Sequence, residues 1–496
     1  MPFYKKETIS RKSFLTDKEQ RLYDRNRVYR AFYENDKEFL WEYFRGVFTH
    51  NREKRFTTLD YRQNLANEES YVISPFPQKL VIKLRNLILA ETPNTIIPEA
   101  HEENADPNAL VTEERLDSTI EKTEFWKRFI LALDYVLAFG YCGIKSTWNK
   151  NVVEMPYMNV IAPENLLWET VDGFVTKAII HKCIDEDKNG RIWRLVETHT
   201  KGKIEYSLYK CNGAEDFGME VGLTVHPKTK DLQPVVETGI DDLLVKIITN
   251  GEGDPAFPEY PIGKSIYAGL EPLFDGLNEA FTNWDRDMEI SKGTVYVHPS
   301  MLQFFDREAI HNPKQVYYTM LNADMTDLDM GKLSNQFDMR TAEHISNVKA
   351  RMSEICIEAG ISPKTMGLTN AEEGRATSGI SIKLQQAETY TTKKSLENSL
   401  KRTIENFLEI MLETDIAVFD TPIDVYTPTV EFKNSLTDDF SMKIDTAAKM
   451  KQAGFANEEI AKYVYDDMTT DQLKAMVERM NQAQGIMTAD ESILPV

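Results

Sequence analysis

The sequence predicts a mixed α+β fold, mainly helical and built around long amphipathic helices. Three observations predict it. Apolar residues recur at helical spacing through both halves of the chain. Between about 144 and 250 the texture changes to short alternating, β-branched runs bounded by turn signals. A Pro/Gly stretch at 250–262 then separates this region from a second helical half. The 496 residues suffice for two to four domains or one elongated multi-part subunit. A composition 42% hydrophobic and 28% charged implies a real core.

Residues 15–50 read as helix, because Tyr29, Phe32, Tyr33, Phe39, Leu40, Tyr43, Phe44 and Phe48 recur with that period. The basic residues among these aromatics fit base stacking or packing against other helices, and packing is the expectation. A second helix is expected over 76–92, a loop over 93–113 and a third helix over 114–139. The apolar stretch Phe129–Ile144 carries Asp134 and is short for a membrane span, so it reads as a buried helix running into a strand. Lys177–Asp185, Arg191–Thr200 and Ile204–Lys210 are expected to form an antiparallel sheet.

The most informative helix is expected over 264–292. Ile266, Leu270, Phe274 (or Leu273), Leu277, Phe281, Trp284 and Met288 form a seam close to a heptad. Asp275, Glu279, Asp285, Asp287 and Glu289 are expected on the surface. Pro272 implies a kink or a later start. Thr294–Val297 and Gln315–Met320 are strand-like. A second seam over 338–359 comprises Ile345, Val348, Met352, Ile355 and Ala359. A loop at Ile361–Thr377 is punctuated by Pro363, Gly367 and Gly374. The pattern from Ser378 to Glu413 would span about 54 Å as one helix. A strand is expected at Asp424–Phe432, then helices near 438–453, 456–466 and 469–483 and a mobile tail from Gln484.

Cys142, Cys183, Cys211 and Cys356 form no CxxC pair, which fits buried or half-buried thiols in a reducing compartment. The polar N-terminus has no apolar signal core, so a soluble protein made in the cytoplasm is expected. A formal charge of −21 argues against tight DNA binding, which needs clustered Lys and Arg.

Most chemical motifs fail. Gly263-Lys264-Ser265 ends like a phosphate-binding P-loop, but Pro258 stands where the earlier glycine is needed, so a helix start after a linker is expected instead. Asp185–Gly190 opens like a calcium loop, yet Val196 replaces the twelfth-position Glu, and a hairpin turn is expected. His50, His101, His181, His199, His226, His298, His311 and His344 show no metal-ligand spacing. No catalytic residue, metal or cofactor is expected.

Three segments between 263 and 414 resemble the portal proteins of tailed bacteriophages: GKSIYAGLEPLFDGLNEAFTNWDRDME, ISNVKARMSEICIEAGISPKTMGL and ATSGISIKLQQAETYTTKKSLENSLKRTIENFLEIM. VEFKNSLTDDFSMKIDTAAKMKQAG at 430–454 adds to the resemblance, which is nearest the long-tailed phages of Gram-positive hosts. It implies a ring, usually of twelve subunits, at one capsid vertex. It further implies double-stranded DNA in transit, a terminase large subunit, a head-tail adaptor, and major capsid and scaffolding proteins as partners, with no membrane. Transferred onto this chain, 1–262 is wing, 263–293 stem helix 1, 294–337 clip and 338–360 stem helix 2. Then follow a tunnel loop at 361–377, the long wing helix and return strand at 378–433, and the crown and tail at 434–496. The loop residues Lys364, Thr365, Asn370 and Arg375 would then face DNA, and ordinary solvated loop charge is the other reading of Lys364 and Arg375. Leu270, Phe274, Leu277, Phe281, Trp284, Ile345, Val348, Met352 and Ile355 would pack the stem. A contact repeated around an axis closes into a ring, and an acidic channel repels rather than grips DNA. A metal-dependent DNA-processing enzyme and a monomeric helical adaptor are the competing readings.

Overall fold

The computed structural model describes residues 15–44, 71–101, 106–187, 190–213, 216, 218–291, 339–368, 387–432 and 440–464, together with short pieces within 294–335 and 476–481. In chain order the main elements are α1 (Asp17–Glu34), α2 (Phe76–Ile88), β1 (Asn94–Ile96), α3 (Pro107–Lys122), α4 (Phe125–Phe139), β2 (Tyr141–Asn149), β3 (Val153–Ile161), β4 (Leu166–Val171), β5 (Phe174–Glu186), β6 (Ile192–Thr200), β7 (Lys203–Cys211), β8 (Met219–Val221), β9 (Val235–Glu237) and β10 (Val245–Thr249). They continue with α5 (Glu271–Ile290), β11 (Thr294–Val297), β12 (Phe304–Phe305), β13 (Glu308–Ala309), β14 (Tyr318–Met320), β15 (Lys332–Asn335), α6 (Thr341–Glu358), α7 (Ala387–Phe419), β16 (Thr429–Glu431), α8 (Phe440–Gln452) and α9 (Asn457–Val464). The fold class is mixed α+β, as the sequence predicts.

The chain divides into two compact units. One holds 1–23, 81–265 and 370–496, and the other holds 24–80 and 266–369. The aromatic segment 24–44 is therefore grouped with the two seam helices and not with the β region.

In the first unit, β10-β2-β3 form one antiparallel sheet, and β4 to β8 form a second in sequence order, with β9 also pairing β7. The β4–β5 turn is Asp172-Gly173, with φ of 52° and 84°. Positive φ at both central residues suits the right-handed twist of a two-residue hairpin. Tyr141, Ile161, Leu166, Trp168, Ile180 and Val245 share a core cluster that joins strands of both sheets. A buried ion pair also crosses between the sheets: Lys145 on β2 meets Glu197 on β6 at 2.6 Å. The apolar stretch behaves as predicted, α4 running into β2. Its one carboxylate, Asp134, is buried and paired with Arg85 at 3.0 Å. The turn between them needs glycine. Gly140 has φ 88°, and a Cβ there would sit 2.0 Å from the Gly263 carbonyl oxygen.

That approach explains Gly263-Lys264-Ser265. It is neither a phosphate cradle nor a helix start. Ser265 Oγ donates to the Ala138 carbonyl at 2.5 Å, and Gly263 packs on Gly140, so the segment is a close backbone junction.

α7 lies over the first unit's sheets, in contact with β2, β3, β10 and β16. It runs about 50 Å and reaches Phe419, past the expected Glu413. Its expected start, 378–386, lies outside the described residues. Arg115 on α3 fixes it with a bidentate pair to buried Asp415 at 2.7 and 2.9 Å.

Several expected boundaries move, each for a local reason. The 15–50 helix breaks at Asn35 (φ 55°), and Asp36 caps a new segment at 37–44 through the Phe39 amide at 3.1 Å. Residues 45–50 lie outside the described residues. The expected 114–139 helix is two helices, broken at Glu124 (φ 53°). The expected loop 93–113 holds β1 and the start of α3, where Asp106 accepts from the Asn108 amide. The helix expected over 76–92 ends at Ile88, and the strand expected over 424–432 shortens to 429–431, in register with three-residue β1. β5 and β6, on either side of the expected turn, pair antiparallel, and Asp187 Oδ1 accepts from the Arg191 amide, while 188–189 lie outside the described residues. Most of the helix expected over 469–483, and the tail, lie outside the described residues.

Candidate functional site

The second unit is built on α5 and α6, which pack against each other. The helix expected from 264 begins at Glu271. Gly269 has φ 91°, which interrupts a helix, and Pro272 then occupies the second helical position, where no amide is needed.

The first half of α5 is enclosed. Phe274, Asp275, Gly276, Leu277 and Asn278 are five consecutive buried residues. Phe32 packs its ring edge-on to Phe274, centroids 5.1 Å apart, and also meets Tyr267 and Phe44. The adjacent, polar stripe is covered by an extended strap at 71–75 and the first turn of α2. The Val72 amide donates to Thr282 Oγ1 at 3.0 Å and the Ser74 amide to Asn278 Oδ1 at 2.9 Å. The Tyr71 hydroxyl donates to Asp275 Oδ1 at 2.6 Å, and Tyr267 donates to the Pro77 carbonyl at 3.1 Å. The strap thus runs antiparallel to α5. Asp275, expected on the surface, is buried beneath it. Gly276 faces the Arg351 guanidinium of α6, since a Cβ there would lie 2.4 Å from Arg351 Nη1.

The second half of α5 is more open. Asp285 and Met288 are exposed. Asp287 accepts from Arg340 at 2.8 Å and pairs with His344 Nε2 at 3.0 Å. His344 also stacks on Trp284, 6.3 Å between centroids and 2° from parallel. The Arg340 hydrogen bond, then that of His344, holds the Asp287 carboxyl down at about 2. This clamp closes the base of the insertion between the helices. Within that insertion β11 pairs parallel with β14 and antiparallel with β15.

The expected packing residues fall into three groups. Leu270, Phe274, Leu277, Val348 and Ile355 are buried. Phe281, Trp284 and Met352 are half-buried. Ile345 is 38% exposed. Lys364 and Thr365, the expected loop residues, are half-buried in a short 3-10 turn, Pro363–Met366, ended by Gly367 at φ 79°. Asn370 and Arg375 lie outside the described residues. The strap contacts and the Asp287 clamp have no expectation in the sequence reading. A signal existed: Asp275, Asn278 and Thr282 repeat at i, i+3 and i+7, a second helical face made of acceptors.

Among the described residues no group of three or more His, Cys, Asp or Glu could hold a metal ion. No helix among them is long and apolar enough to cross a membrane.

Comparison with known proteins identifies a family through one match. No curated protein matches the chain. One chain from a structure described as the neck of a native GTA particle computed with C12 symmetry aligns at 10% identity, covering 82% of this chain and 89% of that one, with a TM-score of 0.35. The family described as "Phage portal protein, SPP1 Gp6-like" matches residues 12–485, nearly the whole sequence. The chain therefore belongs to the SPP1 Gp6-like phage portal protein family.

Proposed function

We propose that the chain is one subunit of a portal ring of twelve copies at a single capsid vertex, through which double-stranded DNA enters during packaging and leaves at ejection. The family match over 12–485 is the observation that carries this reading. The portal family is structural, and the proposal assigns the chain no chemistry of its own. The terminase large subunit supplies the motor, the head-tail adaptor docks later, and major capsid and scaffolding proteins surround the ring. The virion vertex is the final location, after assembly in the host cytoplasm, and the phage type proposed is long-tailed and infects Gram-positive hosts.

Within that proposal α5 and α6 form the stem, and their insertion, 294–337, forms the clip. Residues 361–377 form the tunnel loop, where Lys364, Thr365, Asn370 and Arg375 touch DNA phosphates in passing. Weak contact suits a conduit, since every phosphate neutralised adds affinity and so drag. The wing comprises 1–262 with the long helix and return strand at 378–433, and the crown begins at 434.

Native mass spectrometry of the purified chain tests the ring. A discrete dodecamer is expected. A strictly 57.1 kDa species at high concentration would reject it. Deleting 364–375 tests the loop: rings should persist while packaging fails, and normal packaging of full-length DNA would refute the assignment.

A further inference from the structure

In the first unit, the opening turns of α1, the start of β2, β4 and the loop bearing Tyr260 enclose a cleft of about 10 Å³. Its walls include Glu19, Tyr23, Tyr141, Leu166, Trp168 and Tyr260. A space of that size admits one water centre and no larger ligand.

Trp168 supplies the second, independent observation. It is 7% exposed, and its indole Nε1 is shielded from solvent with no protein acceptor in hydrogen-bonding range. Buried donors are nearly always paired, with protein or with ordered water. The indole cannot readily turn to find a partner. Tyr141 and Tyr260 meet it edge to face, at centroid separations of 5.4 and 5.7 Å. Two polar side chains in the wall are already oriented. The Glu19 carboxylate accepts from the Thr16 amide at 2.7 Å in a Thr-x-x-Glu capping box that opens α1. The Tyr23 hydroxyl lies 2.7 Å from His181 Nε2.

We infer that this cleft is a binding site for one ordered water, which accepts the Trp168 indole N–H and donates to the polar atoms of α1. Water fits the chemistry where a small cation does not, because a cation offers the indole donor no acceptor. The site pins the first turns of α1, residues 17–23, onto β4. It would hold whether or not the ring reading above is right.

A high-resolution experimental structure of the assembled protein tests it. A solvent peak is expected about 2.7–3.2 Å from Trp168 Nε1, and it should disappear in Trp168→Phe. Hydrogen exchange of the amides at 20–23 should then quicken about threefold to tenfold in that variant, the size of one neutral hydrogen bond. The inference is overturned if the wild-type peak is absent, if the indole donates directly to a protein atom, or if the peak survives in Trp168→Phe.

Discussion

α5 and α6 carry similar apolar seams, yet their surroundings differ. Phe274 to Asn278 of α5 are buried without interruption, so both apolar and polar faces are covered. α6 buries only Val348, Ile355 and Cys356, and leaves Ile345 and Ile357 at 38% and 51% exposure. The difference does not lie in hydrophobicity. It lies in what covers the polar stripe: α5 has the strap at 71–75 and the first turn of α2, and nothing comparable is hydrogen-bonded along α6 among the described residues. A seam therefore predicts that a helix packs, but not how many of its faces are filled from within the same chain. Of the two stem candidates, α6 leaves surface for a neighbour along most of its length, whereas α5 does so only in its second half.

The largest test of this contrast compares two truncations. Phe274→Ala opens a cavity in the aromatic cluster and should cost about 3–5 kcal/mol in denaturant unfolding. Ile345→Ala removes an exposed side chain and should cost about 0.5 kcal/mol or less. Equal losses would mean that α6 is as enclosed as α5. If the stem reading holds, Ile345→Asp should leave unfolding of the isolated subunit nearly unchanged while weakening ring assembly by native mass spectrometry.

The strap gives the next effect. Thr282→Val and Asn278→Leu keep the helix but strip the acceptors from the Val72 and Ser74 amides. Each should cost about 1–3 kcal/mol, because a buried donor is left unpaired. Hydrogen exchange should show the Val72 and Ser74 amides losing protection first. Unchanged protection would mean that the strap is held by packing alone.

How far these features were legible follows from their range. The α4-to-β2 transition, the β5–β6 turn and the two seams depend on neighbouring residues and could be read directly. Breaks at Asn35 and Glu124 escaped because both adopt positive φ without being glycine. The start of α5 was half-legible, since Pro272 pointed to a later start but Gly269 was not read as its cause. Asp275 was misplaced onto the surface because the residue that covers it, Tyr71, lies 204 positions away. Lys364 was recognised as a loop cation, but its place in a compact 3-10 turn depends on Gly367, whose left-handed conformation the sequence suggests without stating.

The smallest expected effect concerns the clamp that Arg340 and His344 make on Asp287 at the base of the insertion. Arg340 is 67% exposed at its side chain, so the clamp on Asp287 is a surface interaction that salt weakens. Its pH dependence has a definite sign. The Asp287 carboxyl is held at about 2, below its ordinary 3.8, first by Arg340 and then by His344. The folded state thus favours the carboxylate, and its contribution is complete above about pH 4 and fades as pH falls toward 2. The protection factors of the amides at 340–346, exchange measured relative to the intrinsic rate at the same pH, should therefore fall in 1 M salt at neutral pH, and again on acidification across that window. Asp287→Asn should abolish both dependences while leaving the strap amides protected. If the protection factors at 340–346 instead stayed constant with salt and pH, the Trp284–His344 stack would be holding the helices together there, and α6 would be joined to α5 at this end by packing after all.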